Sequence, residues 1–98
     1  MQRHRRSGTA PKGPEKAFGR ILQEVRKQRG LSQEKLAFES GYHPTYISQL
    51  ERGVKGPSLR TVLNLAAVLD VTAAQMVERV EAYVSRSRKH SRRGEAEE

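Results

Sequence analysis

Residues 32–53 read SQEKLAFESGYHPTYISQLERG, and the spacing of their small and apolar residues predicts two short helices joined by a tight turn. Ser32 suits the cap of the first, because its hydroxyl can accept a free N–H of the opening turn. Leu36 and Ala37 then share one face. Gly41 stops that helix, since a glycine reaches the left-handed conformation of a helix end without a Cβ clash. Pro44 opens the second helix, its fixed φ and missing N–H fitting the first turn. Ile47 and Leu50, three apart, fall on a buried face. Pro44, Thr45, Ser48, Gln49 and Arg52 are left pointing outward, and Gly53 closes the element. Neither helix is long enough to persist alone in water, so the pair must lean on its surroundings.

The flanking sequence supplies them. Upstream, Phe18, Ile21, Leu22 and Val25 keep the i, i+3, i+4, i+7 spacing of one buried stripe, which predicts a helix over residues 15–29. Glu15 at its start and Lys27 and Arg29 in its last turn suit the helix dipole, and Gly30 ends it. Downstream, residues 54–57 form a turn with Gly56 and Pro57 as breakers. Ser58 caps a fourth helix whose wide apolar face, Leu59, Val62, Leu63, Ala66 and Leu69, is broadened by Leu65. Such a face needs cover on several sides, so this helix is expected at the centre of the core, against helices one to three. A fifth helix begins at Thr72, which forms a capping-box pattern with Gln75. Ala73, Met76, Val77, Val80 and Val84 carry its apolar spacing. The first half should close the core. The second half, Val80, Tyr83 and Val84, exceeds what so small a globule covers and is expected to form the interface of a two-fold homodimer; the alternative is that it folds back on its own subunit.

With 98 residues the chain allows one domain, and a globule of this size buries only ~60% of its chain surface, so a dimer would steady it. The net charge of +8 favours a polyanionic partner. Its distribution is uneven. Residues 1–13 carry +4, residues 85–98 carry +2, and the 71 positions between hold ten basic and eight acidic side chains. Most of the excess therefore sits in the arms, which supply non-specific phosphate attraction; specificity must come from elsewhere. Residues 1–13 have no apolar periodicity and read as a disordered basic arm, able to follow a minor groove, or as a frayed end. Residues 85–98, with SRSRKHSRR followed by acids, read as a disordered or fraying charged tail. The lack of cysteine excludes a disulfide framework and thiolate metal sites and fits a reducing cytoplasm. No apolar run approaches the ~20 residues that span a bilayer, and the N-terminal arginines are not followed by the apolar segment of a secretory signal.

Two short helices joined by a turn containing glycine match the helix-turn-helix unit, whose second helix can enter a DNA major groove. LSQEKLA, the turn at Gly41, YIS at 46–48, LERG at 50–53 and PSLRTVLNLAAVL at 57–69 together resemble the Cro/phage-repressor helix-turn-helix family of bacterial transcription regulators. The likeness covers about residues 18–77 and extends both to stand-alone repressors and to controllers of restriction-modification systems. It implies an all-α, compact five-helix lambda-repressor-like domain over residues 14–84, with the motif at 32–53. It also implies that Pro44, Thr45 and Gln49, with Ser48 beside them, face base edges. Gln49 is the strongest candidate, because its amide can bond both N6 and N7 of adenine. Thr45 offers a hydroxyl and a methyl. Pro44 departs from the family pattern, in which a polar or basic residue often stands here, and is limited to apolar contact, which shifts readout toward DNA shape. Gln33, in the first turn of the motif, can bond a phosphate beside free N–H groups. Arg52, Lys55 and Ser58 lie where family members cross the backbone, and an arginine placed as Arg26 often pairs with a glutamate placed as Glu51. His43 reads as a capping or surface residue rather than a ligand, Tyr46 as packed against the neighbouring helix, and Tyr42 as a turn residue.

The function expected from these residues is sequence-specific binding of double-stranded DNA by a homodimeric regulator in the bacterial cytoplasm, associated with the nucleoid. Catalysis is not expected. His4, His43 and His90 are scattered, none at metal spacing with a carboxylate, and there is no phosphate-cradling glycine loop. No cofactor, metal, membrane or small-molecule effector is implied. The rival reading is an antitoxin or adaptor that docks a protein through the late fifth-helix face, with DNA binding secondary.

Overall fold

The computed structural model of the chain describes residues 13–96, with side chains through residue 87. Residues 1–12, nearly all of the basic arm at 1–13, and residues 97–98 lie outside the described residues. Five helices follow one another: α1 (Pro14–Gln28), α2 (Gln33–Ser40), α3 (Pro44–Glu51), α4 (Leu59–Val68) and α5 (Ala73–Ala96). Their ends follow local chemistry. Ser32 Oγ accepts from Lys35 N at 3.0 Å and Ser58 Oγ from Thr61 N at 3.1 Å. Thr72 and Gln75 satisfy each other's backbone N–H with their side chains, both at 2.9 Å. At the end of α2, Gly41 takes φ 81, which lets Tyr42 N reach back to Ala37 O at 2.9 Å.

Phe18, Ile21, Leu22 and Val25 of α1 meet Leu36 and Ala37 of α2, Ile47 and Leu50 of α3, Val62, Leu65 and Ala66 of α4, and Leu69 and Met76 in one core. The centre of this core is α1, which packs on both α3 and α5. The sequence puts α4 there instead. In the structure α4 packs on α2 and α5, and the direction of its inward face differs from the apolar spacing. Leu59 and Leu63 are 74% and 52% exposed, whereas Thr61 is buried beside Val62. The reason is a hydroxyl cluster: Thr61 Oγ1 lies 3.3 Å from Tyr42 Oη, 3.2 Å from Tyr46 Oη and 3.1 Å from Ser58 Oγ. Those bonds hold Thr61 inward and rotate Leu59 and Leu63 into solvent.

The chain bends by 111° between α4 and the first turns of α5. Asp70 in that corner takes φ 60, and its carbonyl accepts from Arg29 Nη2 at 3.0 Å, tying the corner to the end of α1. Arg79 Nη2 and Glu24 Oε1, 3.3 Å apart, bridge α5 to α1; the pair is exposed and contributes little. α5 runs on to Ala96 and takes in the serine- and arginine-rich stretch, which the sequence gives as a disordered or fraying end. No proline interrupts that stretch, and its Arg and Lys residues are good helix formers. Among the described residues no single helix is long and apolar enough to cross a membrane.

Candidate nucleic-acid interface

The inner side of α3 is fixed at both ends. Ile47 and Leu50 are fully buried. At the C-terminal end, Glu51, its side chain 1% exposed, faces the 9%-exposed Arg26 side chain of α1. Arg26 Nε donates to Glu51 Oε2 at 2.6 Å and Nη2 to Oε1 at 3.0 Å, a two-bond fork, while Nη1 donates to Leu31 O at 2.8 Å. The same Oε1 accepts from Gln33 Nε2 of α2 at 2.9 Å and, more weakly, from Gln23 Nε2 at 3.4 Å. One carboxylate thus gathers α1, α2 and the end of α3. The two glutamines in this cluster escape sequence reasoning: Gln23 lies 28 residues from Glu51 and Gln33 lies 18 away, and nothing local links them.

A further contact sets the depth of α3. Gly19 of α1 lies against its last turn, so closely that a Cβ there would sit 2.3 Å from Leu50 O and 2.6 Å from Glu51 O. At the other end, the Tyr46 ring packs on Tyr42 with centroids 5.2 Å apart and planes tilted by 59°, and its hydroxyl reaches Thr61 of α4. Asn64 Nδ2 donates to Tyr42 Oη at 3.0 Å, joining α4 to the turn before α3. Tyr42 therefore does more than fill a turn; the i, i+4 spacing of two tyrosines across a helix start is the only local hint of this.

The outer side of α3 is open. Thr45 and Arg52 are exposed, and Pro44, Ser48 and Gln49 are half-buried. The side chains of Thr45 and Gln49 make no hydrogen bond among the described residues. Arg52 Nε donates to Ser48 Oγ at 3.3 Å, so these two share one polar edge. Lys55 and Ser58 follow, both exposed, although the Ser58 hydroxyl is engaged with Thr61. Gln33 is half-buried and spends one of its two amide protons on Glu51. His43 caps α3: its Nδ1 accepts from Thr45 N at 3.1 Å. Val80, Tyr83 and Val84 stand apart from this surface, half-buried on α5; Val80 touches the core, and with Val84 it lines an open groove shared with Pro14 and Val77. Among the described residues no three His, Asp or Glu side chains are grouped to hold a metal ion.

Two short helices joined by a tight turn and braced this way form a helix-turn-helix, and the HTH_3 helix-turn-helix family model matches residues 22–75, more than half of the chain. The chain belongs to this helix-turn-helix family. An uncharacterized HTH-type transcriptional regulator of Sinorhizobium fredii, y4dJ, is 36% identical over 62 residues, 63% of this chain and 80% of that protein. The crystal structure of the restriction-modification controller C.AhdI from Aeromonas hydrophila is 43% identical, covers 62% of this chain and 92% of that one, and superposes with a TM-score of 0.61. A crystal structure of the master regulator for biofilm formation SinR in complex with DNA is 31% identical, covers 61% of this chain and 97% of that one, with a TM-score of 0.59. The HTH_3 match stops at Gln75, three residues into α5, so it contains the whole motif and little of the final helix.

Proposed function

We propose that the chain is a sequence-specific DNA-binding transcriptional regulator that acts as a homodimer on a two-fold-related operator in the bacterial cytoplasm. The observation that carries this is the contrast between the two sides of α3: one side anchored by Ile47, Leu50 and the buried Glu51 side chain, the other presenting an exposed Thr45 and half-buried Ser48 and Gln49. A helix held rigidly from behind can enter a major groove without losing its position. The related SinR, whose structure was solved in complex with DNA, supports DNA as the partner.

In this reading Gln49, with Thr45, Ser48 and an apolar contact from Pro44, faces the bases. Arg52, Lys55 and the remaining Gln33 amide proton meet phosphates; the Ser58 hydroxyl, which donates to Thr61 Oγ1, has no proton left to give one. Selection of bound duplexes from a random pool at ~150 mM salt, where attraction by the arms is screened, should return two half-sites about 10 base pairs apart. Recovery of no preferred sequence would sink the proposal. Gln49→Ala is expected to change the preferred base at one position per half-site, whereas Arg52→Ala or Lys55→Ala weakens all sequences alike and lowers the salt slope by about 1 each. Equal losses on operator and random DNA for Gln49→Ala would remove it from base readout.

The dimer contact assigned here is the late part of α5, Val80, Tyr83 and Val84, beside the open groove at Pro14 and Val77. Val84→Glu would bury an unpaired charge in that contact. Light scattering should then report a monomer for the variant against a dimer for the parent; a monomeric parent would refute the assignment.

A further inference from the structure

We infer that His43 is a base-reading residue, its ring donating an N–H from Nε2 to the N7 of a purine in the major groove. The inference rests on α3 being the reading helix and adds to it a specificity-determining group. Its starting point is the cap. Nδ1 of His43 accepts a hydrogen bond from the backbone N of Thr45 at 3.1 Å. A backbone amide has only a hydrogen to give, so Nδ1 must present its lone pair. In the neutral imidazole the proton is then on Nε2. The cap settles the tautomer, and because it holds one ring nitrogen against the helix it also holds the other away from it.

His43 is exposed and immediately precedes Pro44, at the end of the recognition helix that lies nearest base edges. Its neighbours leave a gap in polar reach. Pro44 has no side-chain donor, and Thr45 and Ser48 carry their hydroxyls on short side chains. His43 is the long side chain with an oriented donor before Gln49, more than one turn later. A donor whose ring partner is already engaged cannot accept from an exocyclic amine; it selects an acceptor. N7 is the acceptor that both purines present in the major groove. Such a donor excludes cytosine, whose major-groove edge offers only an amine, and with N7 rather than guanine O6 or thymine O4 as its acceptor His43 takes either purine. The ordering of the ring is completed during folding, so less freedom is lost on binding than for an unrestrained side chain.

The test replaces the reach and keeps the cap. In His43→Ser the hydroxyl accepts at the helix start, serine being among the best N-cap residues, but nothing extends to a base. The parent and H43S are taken in parallel through selection from random duplexes, then titrated on the parent's operator and on random DNA. The expected result is an unchanged thermal midpoint, unchanged half-site spacing and random-DNA affinity, about tenfold weaker operator binding, and loss of the purine preference at one position per half-site. A 7-deazapurine at that position should weaken the parent by the same factor and leave H43S unaffected. An operator that H43S recovers unchanged and binds as tightly as the parent overturns the inference while leaving the proposed function standing. So does a parent indifferent to 7-deazapurine with H43S weakened on operator and random DNA alike, since His43 would then meet a phosphate. A parent that recovers no preferred sequence overturns both readings.

Discussion

Glu51→Ala should destabilise the fold by about 3–5 kcal/mol, the range for removing one partner of a buried ion pair and leaving the other charge without its counterpart. Arg26 would keep one bond, from Nη1 to Leu31 O, and lose both bonds of its fork. Gln33 and Gln23 would lose their shared acceptor. The size of the effect separates this pair from the surface pairs Arg20–Glu24 and Lys35–Glu39, whose exposed side chains place them at roughly 0–1 kcal/mol. Replacing both partners together, Arg26→Met with Glu51→Leu, should cost less than the sum of the single losses, because no charge is then left buried. Urea unfolding of the parent, Arg26→Met, Glu51→Leu and the double variant measures the coupling, and of Glu51→Ala the single loss. A Glu51→Ala loss below about 1 kcal/mol would show that the fork is not a structural lock. Beyond stability, Glu51→Ala frees Gln33, so DNA affinity should fall on all sequences together.

Gly19→Ala is the second large effect. In an ordinary helix position this change gains about 1 kcal/mol from helix propensity. Here the new Cβ would lie 2.3 Å from Leu50 O and 2.9 Å from the Glu51 carbonyl carbon, and both are backbone atoms that cannot swing aside. α3 must move off α1. Overpacking of this kind costs typically 1–3 kcal/mol, and more where backbone has to shift, so the balance is a net loss. Because the displaced element is the one proposed to enter DNA, operator affinity should fall even at temperatures where the variant is fully folded. A thermal midpoint at or above the parent's would contradict the close crossing. Gly19→Val should be worse on both measures.

Much of this architecture is legible in the sequence because it rests on short-range chemistry. Ser32, Ser58 and the Thr72–Gln75 box act within three residues of themselves, and Gly41 is read from its place after the last apolar residue of α2. The stripe on α1 is legible for a different reason: its polar neighbours leave one candidate face. On α4 that argument fails. Leu59, Leu63, Val62, Leu65, Ala66 and Leu69 form two adjacent apolar stripes, and spacing alone cannot say which turns inward. The choice is made by Thr61 through hydroxyls of Tyr42 and Tyr46, 19 and 15 residues away. The pairing of Arg26 with Glu51 is legible only through the family resemblance, and the glutamines around it not at all. His43 falls between: a cap is readable from its position, but the ring nitrogen that does the capping, and so what the other one offers, needs coordinates.

The anchors of α3 have a consequence for how this protein can change. Tyr46, Ile47, Leu50 and Glu51 fasten the helix from one side, and Thr45, Ser48 and Gln49, the residues proposed to face the duplex, occupy other positions; His43, which caps the helix and is inferred to read a base, is the one residue that serves both ends. Exchanges at 45, 48 and 49 therefore leave the scaffold's own stability nearly untouched, so a new preferred sequence can arise by drift through folded intermediates. Under the proposed readout, target choice and folding are separately heritable along the eight residues of α3 and meet only at His43 just before them.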